Sequence, residues 1–453
     1  MTTEIPDIFK AYDIRGLVDG ELSPDFAFSV GLAFARFLEI EREPSTVIIG
    51  EDMRPSSPDL AEAFAAGVMS NGTNVIRIGL ASTDMLYFAA GSKMLPGAMF
   101  TASHNPAAYN GIKLCLSGAR PIGKETGLLT IEKFVRSGLP VAMRPPGVES
   151  SEELLGAYAD YLHGLVSFKG NRPLKIVIDA GNGMAGYTAP AIFERLGAEI
   201  IPLFFELDGN FPNHEANPID PANLRDLQKA VLENKADIGL AFDGDADRCF
   251  LVDEKGQTVD PSLLTSLIAS RELIKHPGAT IIHSLISSRA VVEVINEFGG
   301  VPVRSRVGHS YIKALMAETG AIFGGEHSGH FYFKDFWRAD SGALAALHAL
   351  AALGESEKSL SELLSPFQRY VSSGEVNSRV KDVASVVQRI KEKFQDLPGF
   401  SIDELDGLTI STATWWFNVR ASNTEPLLRL NVEADTALNM AAHRDDLLAL
   451  INA

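Results

Sequence analysis

Four short stretches of the chain hold residue types that can do chemistry. The densest is DGDADR, Asp243 to Arg248, where three carboxylates stand at alternate positions behind the apolar run ADIGLAF. Gly244 lets the chain turn so that Asp243, Asp245 and Asp247 converge, and hard oxygen ligands of this kind suit Mg²⁺ or Ca²⁺. Three protein ligands leave coordination positions open, which suits Mg²⁺ held jointly with a phosphate. A solvated acidic turn is the plainer alternative. An EF-hand is a sharper one, because Glu254 falls at loop position twelve. Against it stand Arg248 at position six, where that loop needs glycine, and the buried-strand pattern CFLVD that follows.

RASNTEP, Arg420 to Pro426, packs a guanidinium with Ser422, Asn423 and Thr424 between two strand-like runs. Such a turn offers a forked cation, hydroxyls and backbone N–H groups to a phosphate; the alternative is a turn whose Asn and Ser bond their own backbone. GEHSGH, Gly325 to His330, offers Glu326, whose two acceptor oxygens match adjacent sugar hydroxyls, with Ser328 and the histidines as further polar contacts. A flexible turn reads nearly as well there. TASHNP places Ser103 between small residues just after the apolar run Ala98-Met99-Phe100. A Ser-His-Asp hydrolase needs a base within reach of the serine. His104 is adjacent, and adjacent side chains usually point apart; no G-x-S-x-G elbow is present. The alternative is that Ser103 carries a phosphoryl group whose charge a metal and cations neutralise.

A fifth stretch matches a pattern formally. AGNGMAG holds Gly181, Gly183 and Gly186 in dinucleotide spacing, with Glu206 twenty residues beyond. Asp179, two residues before the first glycine, would oppose a pyrophosphate, so the loop reads as a tight strand-to-helix turn. A nicotinamide-dependent oxidoreductase stays as an alternative of another class, as does a phosphosugar-binding or phosphatase-like protein that does not isomerise.

These stretches need a frame to position them. The chain has 453 residues, 46% hydrophobic and 22% charged, long enough for several domains. A net charge of −18 argues against nucleic-acid and anionic-membrane partners, though local cations can still receive an anionic small molecule. No run approaches a membrane span and no secretory leader is visible, so the expected location is cytoplasmic. Cys115 and Cys249 lie apart in apolar runs and read as buried thiols. Strand and helix patterns alternate: strands TVIIG (46–50), NVIRIG (74–79) and GAMFTAS (97–103), with a helix over 56–72. The alternation recurs in LKIVID, EIIPLFF and ADIGLAF, and again in ATIIHSLI (279–286) and VPVR (301–304). Three similar α/β blocks suggest an internal repeat. The remainder differs: ISTATWWFNVR (410–420) and LLRLNVEA (427–434) read as strands, closed by a helix over 436–452.

Taken in order, these motifs resemble the α-D-phosphohexomutase superfamily, its phosphomannomutase and phosphoglucomutase branch, over nearly the whole chain. TASHNP is similar to the family's phosphoserine loop, DGDADR to its magnesium loop, GEHSGH to its sugar-binding loop and RASNTEP to its phosphate-binding loop. The resemblance implies four domains around a central cleft: three related mixed α/β sandwich domains and a smaller C-terminal α+β domain. With boundaries in the turn-rich stretches VAMRPPGVES (141–150) and VDEKGQTVDPS (252–262) and near Ser365, these are 1–145, 146–253, 254–366 and 367–453. It implies catalytic roles for Ser103, His104, Lys113, Arg15, Arg248 and His330. Substrate contacts fall to Tyr12, His309, Glu326, Ser328, Arg420, Ser422, Asn423 and Thr424, and Mg²⁺ to Ser103, Asp243, Asp245 and Asp247. The implied activity interconverts hexose 6- and 1-phosphates, mannose and also glucose, through hexose 1,6-bisphosphate as intermediate and activator. The implied partner is a small sugar phosphate, and the enzyme a monomer or homodimer. His327 resembles the mannose and dual-specificity branch; phosphoglucosamine mutases usually carry Gln there, and that activity is the alternative within the family. The chain departs from the family at Ser284–Arg289 (SLISSR), where Ile286 stands in place of a substrate-facing lysine, leaving that contact to Arg289 or Arg306.

Overall fold

The structure, a computed structural model, describes residues 7–141, 143–170, 172–395, 398–421 and 427–452. It holds four sheets, each in its own stretch of chain. The first runs Ile14–Leu17, Tyr109–Leu116, Gly97–Phe100, Thr46–Glu51, Asn74–Leu80, Glu149–Ser151, with Arg120–Pro121 beside Tyr109–Leu116. The second runs Thr258–Val259, Cys249–Asp253, Ile238–Phe242, Lys175–Asp179, Glu199–Leu203, and the third Val301–Ser305, Thr280–Ser284, Phe323–Gly325, Phe331–Phe333, Ala339–Asp340. The first sheet extends past the expected boundary at 145 through Glu149–Ser151, and the second past 253 through Thr258–Val259.

One feature recurs in all three sheets. A short buried parallel strand ends, the chain turns, and the next strand returns antiparallel beside it. Gly97–Phe100 pairs so with Tyr109–Leu116, Ile238–Phe242 with Cys249–Asp253, and Phe323–Gly325 with Phe331–Phe333. The three connecting loops are those that hold Ser103, the aspartate triad and Glu326–His330. The internal repeat is thus a repeat of topology, and the chemistry sits at its equivalent loop each time, outside the carboxyl end of a parallel strand.

A shared core fixes the three units against one another. Helix Gly342–Gly354, GALAALHALAALG, is buried from Gly342 to Leu353, as a helix apolar on every face but for His348 must be. Its Leu344, Leu347 and Leu350 join one cluster with Leu240 and Leu251 of the second sheet, Phe323 and Phe331 of the third, and Met85 and Phe88 of helix Thr83–Lys93. The fourth sheet is wholly antiparallel, in the order Val371–Arg379, Leu427–Ala434, Trp415–Ala421, Leu408–Ser411, Ser401–Asp403. Helices Val383–Phe394 and Ala437–Asn452 supply Val386, Ile390, Met440 and Leu447 to its core. This is the mixed α/β plus α+β architecture expected.

Three strand expectations need correction. ISTATWWFNVR is two strands, broken at Thr412–Thr414, where Thr412 Oγ1 accepts the N–H groups of Thr414 and Trp415 and closes a hairpin. GAMFTAS stops at Phe100, and ATIIHSLI at Ser284. Both cysteines are buried and unpaired. Among the described residues no helix is long and apolar enough to cross a membrane.

Candidate active site

Ser103 lies three residues past its strand, in a turn that Thr101 shapes by accepting the Ser103 N–H at 2.9 Å. Its φ of +50° is left-handed, a conformation that non-glycine residues rarely hold without surrounding support. That conformation corrects the expectation for His104: the two side chains do not point apart, and His104 Nδ1 lies 3.1 Å from Ser103 Oγ. Burial, then the Arg248 and Arg15 charges, hold the His104 ring well below its ordinary pKa, so it is neutral. Ser103 Oγ also donates to Asp243 Oδ2 at 2.7 Å. Arg15 borders the same turn, with NH1 donating to Asn105 Oδ1 and Ala102 O while Asp13 braces the guanidinium.

The support comes from a residue that sequence reasoning missed. Arg54, 1% exposed, donates to four carbonyls of the loop: Ser103, Asn105, Pro106 and Tyr109, at 2.6–3.0 Å. Asp52 braces it at 3.2 Å. The available signal was an Asp-Met-Arg-Pro turn at the end of a parallel strand, where a lone Arg reads as ordinary surface charge.

Asp243, Asp245 and Asp247 are all buried, with ligand atoms within 4.8 Å of one another. Asp245 Oδ1 has no hydrogen-bond partner, and Asp247 Oδ1 meets His330 Nε2 at the long distance of 3.4 Å. Buried carboxylate oxygens short of donors are costly, and a hard divalent cation satisfies them, so the residues fit a metal. Lys113 Nζ bridges Asp245 and Asp247 at 2.7 Å each. Burial works against its charge, but those two aspartates hold it well above the ordinary lysine value, and it is an ammonium. Arg248 Nε donates to Asp243 at 2.9 Å, and its buried NH2 has no partner. Thr83, unflagged by the sequence, donates its hydroxyl to Asp245 Oδ2 at 2.6 Å and its N–H to the Asp245 carbonyl at 3.0 Å. The EF-hand alternative fails, because the Glu254 carboxylate is taken by Ser361.

On the third loop, Glu326 is 3% exposed. Each of its oxygens already accepts one bond, from Gly308 N–H at 2.9 Å and Tyr332 O–H at 2.6 Å, which fixes the carboxylate and leaves one lone pair per oxygen. Ser328 Oγ meets His330 Nδ1 at 3.0 Å, and His330 Nε2 lies 3.4 Å from Asp247 and 3.8 Å from Asp340. Burial disfavours the charged ring, yet Asp247 foremost, then Asp340 and Glu326, draw its pKa above the ordinary value. Tyr12 stands edge-on to Tyr311, its hydroxyl pushed up to about 12 by burial, then by Tyr311, Glu326 and Asp406. His309 begins helix His309–Thr319; its side chain lies outside the described residues.

Arg420, 5% exposed, ends strand Trp415–Ala421. Ser422, Asn423 and Thr424 lie outside the described residues. Ile286 packs with Leu285 against Trp416 and Val307, so the expected lysine is replaced by an apolar contact between the third and fourth units. Arg289 is occupied by the Thr412 and Ala413 carbonyls; Arg306 remains exposed, bonded to the Leu405 carbonyl and set over the Tyr311 ring. His327 lies 3.9 Å from Asp260. At the formal dinucleotide motif, Asp179 accepts the Gly181 N–H and meets His214, and the Met184 N–H is taken by the Gly244 carbonyl. Gly183 and Gly186 admit backbone of Gly244 and Phe205 where a Cβ would clash at 2.7 and 2.2 Å. These glycines serve packing between loops.

The family models for phosphoglucomutase/phosphomannomutase match in four parts: alpha/beta/alpha domain I over residues 6–139, domain II over 157–256, domain III over 260–370, and the C-terminal domain over 375–450. A phosphomannomutase of Salmonella typhimurium is 42% identical over 455 residues, covering 98% of both chains. A protein of Xanthomonas campestris described as phosphohexose mutases is 41% identical over 434 residues, covering 95% of this chain and 96% of its own. The crystal structure of a phosphoglucomutase/phosphomannomutase family protein from Burkholderia thailandensis superposes with a TM-score of 0.89 at 34% identity, covering 98% and 96% of the two chains. The loops that bring Ser103, the aspartate triad and Glu326 to one place therefore sit in a known frame: the chain belongs to the phosphoglucomutase/phosphomannomutase family of the α-D-phosphohexomutase superfamily, and its activity is that of a phosphohexomutase.

Proposed function

We propose that the chain interconverts mannose 6-phosphate and mannose 1-phosphate, with glucose phosphates as usable substrates, through phosphorylated Ser103 and a hexose 1,6-bisphosphate. The observation that carries this reading is the Ser103 hydroxyl at 2.7 Å from Asp243, in a triad with an unpartnered carboxylate oxygen and ringed by Arg15, Lys113 and Arg248. Phosphorylated Ser103 gives its phosphoryl group to the free sugar hydroxyl: the serine P–O bond breaks and the sugar P–O bond forms. The hydroxyl proton passes to His330, made a stronger base by Asp247, Asp340 and Glu326, and the departing Ser103 oxygen takes up a proton from solvent. The bisphosphate turns over, its other phosphoryl returns to Ser103 Oγ, and neutral His104 receives the serine proton at 3.1 Å and passes it to solvent, while His330 returns its proton to the sugar oxygen that leaves. Asp243, Asp245 and Asp247 would hold Mg²⁺, which when bound neutralises charge on the transferring group, the main demand of phosphoryl transfer. Lys113 and Arg248 add fixed positive charge, Glu326 holds the sugar hydroxyls, and Arg420 with Ser422, Asn423 and Thr424 grips the phosphate that does not react.

The test is a coupled assay on mannose, glucose and glucosamine 1-phosphates with a trace of the 1,6-bisphosphate. Mannose phosphate should lead and glucosamine phosphate should trail by about ten-fold in kcat/KM. Ser103→Ala should lower turnover by roughly 10³-fold or more and remove a phosphoryl adduct seen by intact mass; near-normal turnover in that variant sinks the carrier assignment. EDTA should abolish activity and Mg²⁺ restore it.

A further inference from the structure

Strands Trp415–Ala421 and Leu427–Ala434 pair so that Arg420 faces Arg429 directly across the ladder. Like charges in that relation repel. The Glu375 carboxylate lies between them: its Oε2 is 2.5 Å from Arg420 and its Oε1 is 3.2 Å from Arg429. Glu375 follows a bulge in strand Val371–Arg379, where the register shifts after Ser372 and Gly374 adopts a φ of +65°. Its pairing with Asn431 sets it on the strand beside the arginine-bearing hairpin. The trio carries a net charge of one positive unit. Arg420 is nearly closed from solvent, and its Nε has no hydrogen-bond partner, a buried donor left for an anion to meet.

We propose that Glu375 is a resident counter-anion, with which a substrate phosphate must share Arg420, and that it keeps the phosphate grip loose enough for the bisphosphate to turn over. The proposal rests on the reading of Arg420 as a phosphate ligand. A mutase imposes an unusual demand: one site must hold first one phosphate and then the other phosphate of the same molecule. A grip that tightens ground state and transition state alike lowers KM without raising kcat, and one that delays the exchange lowers kcat as well. A carboxylate already paired with the guanidinium limits that grip and holds the arginine in place between encounters.

Glu375→Gln removes the charge and keeps the shape. In a Ser103→Ala background, calorimetric titration with mannose 1-phosphate should show binding about five- to ten-fold tighter. In the Ser103 enzyme, KM and kcat should fall together by similar factors, a split that simple damage to the fold does not produce. Glu375→Asp should return both toward the parent. Arg429→Gln leaves Glu375 to Arg420 alone, and should weaken mannose 1-phosphate binding by about three-fold; this arm decides the matter if Glu375→Gln does not fold. Unchanged or weaker binding in Glu375→Gln, or unchanged binding in Arg429→Gln, overturns the proposal. Arg420→Gln separates the two levels: if it binds mannose 1-phosphate as tightly as the parent, the phosphate-site reading itself fails.

Discussion

Arg54 and Thr83 touch no expected substrate atom, yet they fix the groups that do. Four loop carbonyls converge on the Arg54 fork, an arrangement that a lysine ammonium, a point charge with three donors, cannot reproduce. Arg54→Lys should cost about 2–4 kcal/mol of stability, the scale for breaking a buried charged network. It should also lower kcat more than it raises KM, since Ser103 loses its presentation; urea unfolding and steady-state kinetics on one preparation measure both. An unchanged urea midpoint would show that the loop holds itself. Thr83 acts on the metal loop. Its hydroxyl joins the Lys113 ammonium on one oxygen of Asp245 and leaves the other without a partner, so Thr83 helps to choose which oxygen would face a cation. Thr83→Val should weaken Mn²⁺ binding, read by paramagnetic resonance without turnover, by about ten-fold, the lower end for losing an outer contact to a ligand. Thr83→Ser should restore it, and a Val variant that binds Mn²⁺ normally would leave Thr83 a packing residue.

At the scale of elements, three equivalent strand-to-strand loops meet, and the meeting is close. A Cβ on Gly244 would stand 2.4 Å from the Ser103 carbonyl oxygen, a backbone atom with no room to withdraw. Gly244→Ala should therefore part the metal loop from the phosphoserine loop: an expected loss of activity of about 10²-fold, the scale for misplacing reacting groups by an ångström, with a destabilisation of only about 1–3 kcal/mol. Activity near the parent would mean the loops need not touch. This convergence explains what was legible in the sequence. Parallel strands announced themselves through β-branched runs such as TVIIG and KIVID, and the turns after them held the chemistry, so Ser103 and the aspartates could be picked out directly. Contacts between loops could not be read, because they depend on how units pack. His104 looked averted until the left-handed turn at Ser103 brought its Nδ1 to 3.1 Å. Arg54, Thr83 and Glu375 each act on a partner at least 45 residues away, and neither strand periodicity nor local motif marks them. The hairpin break at Thr412–Thr414 was hidden for the opposite reason: Ser, Thr and Ala there suit a strand well enough that only the threonine's own bonds end it.

The whole molecule stakes its stability on buried ionisable groups along its shared core. His348, within the enclosed helix Gly342–Gly354, stacks on Phe333 at 5.2 Å, and burial first, then Lys275 and Arg271, press its pKa down to about 3. Burial likewise takes His283, on the inner strand Thr280–Ser284 of the third sheet, down to about 4. Both rings are neutral in the folded chain and take up a proton on unfolding once the pH falls below about 6.5. Their contribution is therefore complete above that value and is lost as the pH falls. By pH 5 each should have given up about 2 kcal/mol. Asp84 runs the other way. It receives hydrogen bonds from Ser82, Tyr158 and Ser341, groups that reach it from three parts of the chain, yet burial raises it to about 6. A raised carboxyl favours the folded state in acid and loses that advantage as the pH climbs to 6, so between pH 6 and 5 it returns about 1.4 kcal/mol. Among these three groups the histidines outweigh Asp84, and their joint share of the unfolding free energy should fall by about 2–3 kcal/mol from pH 7.5 to 5. His348→Leu, apolar like its neighbours in the helix, should remove about 2 kcal/mol of that fall. Urea unfolding of both proteins at the two pH values measures the difference; equal slopes would show that His348 is not held neutral and that acid destabilises this core elsewhere.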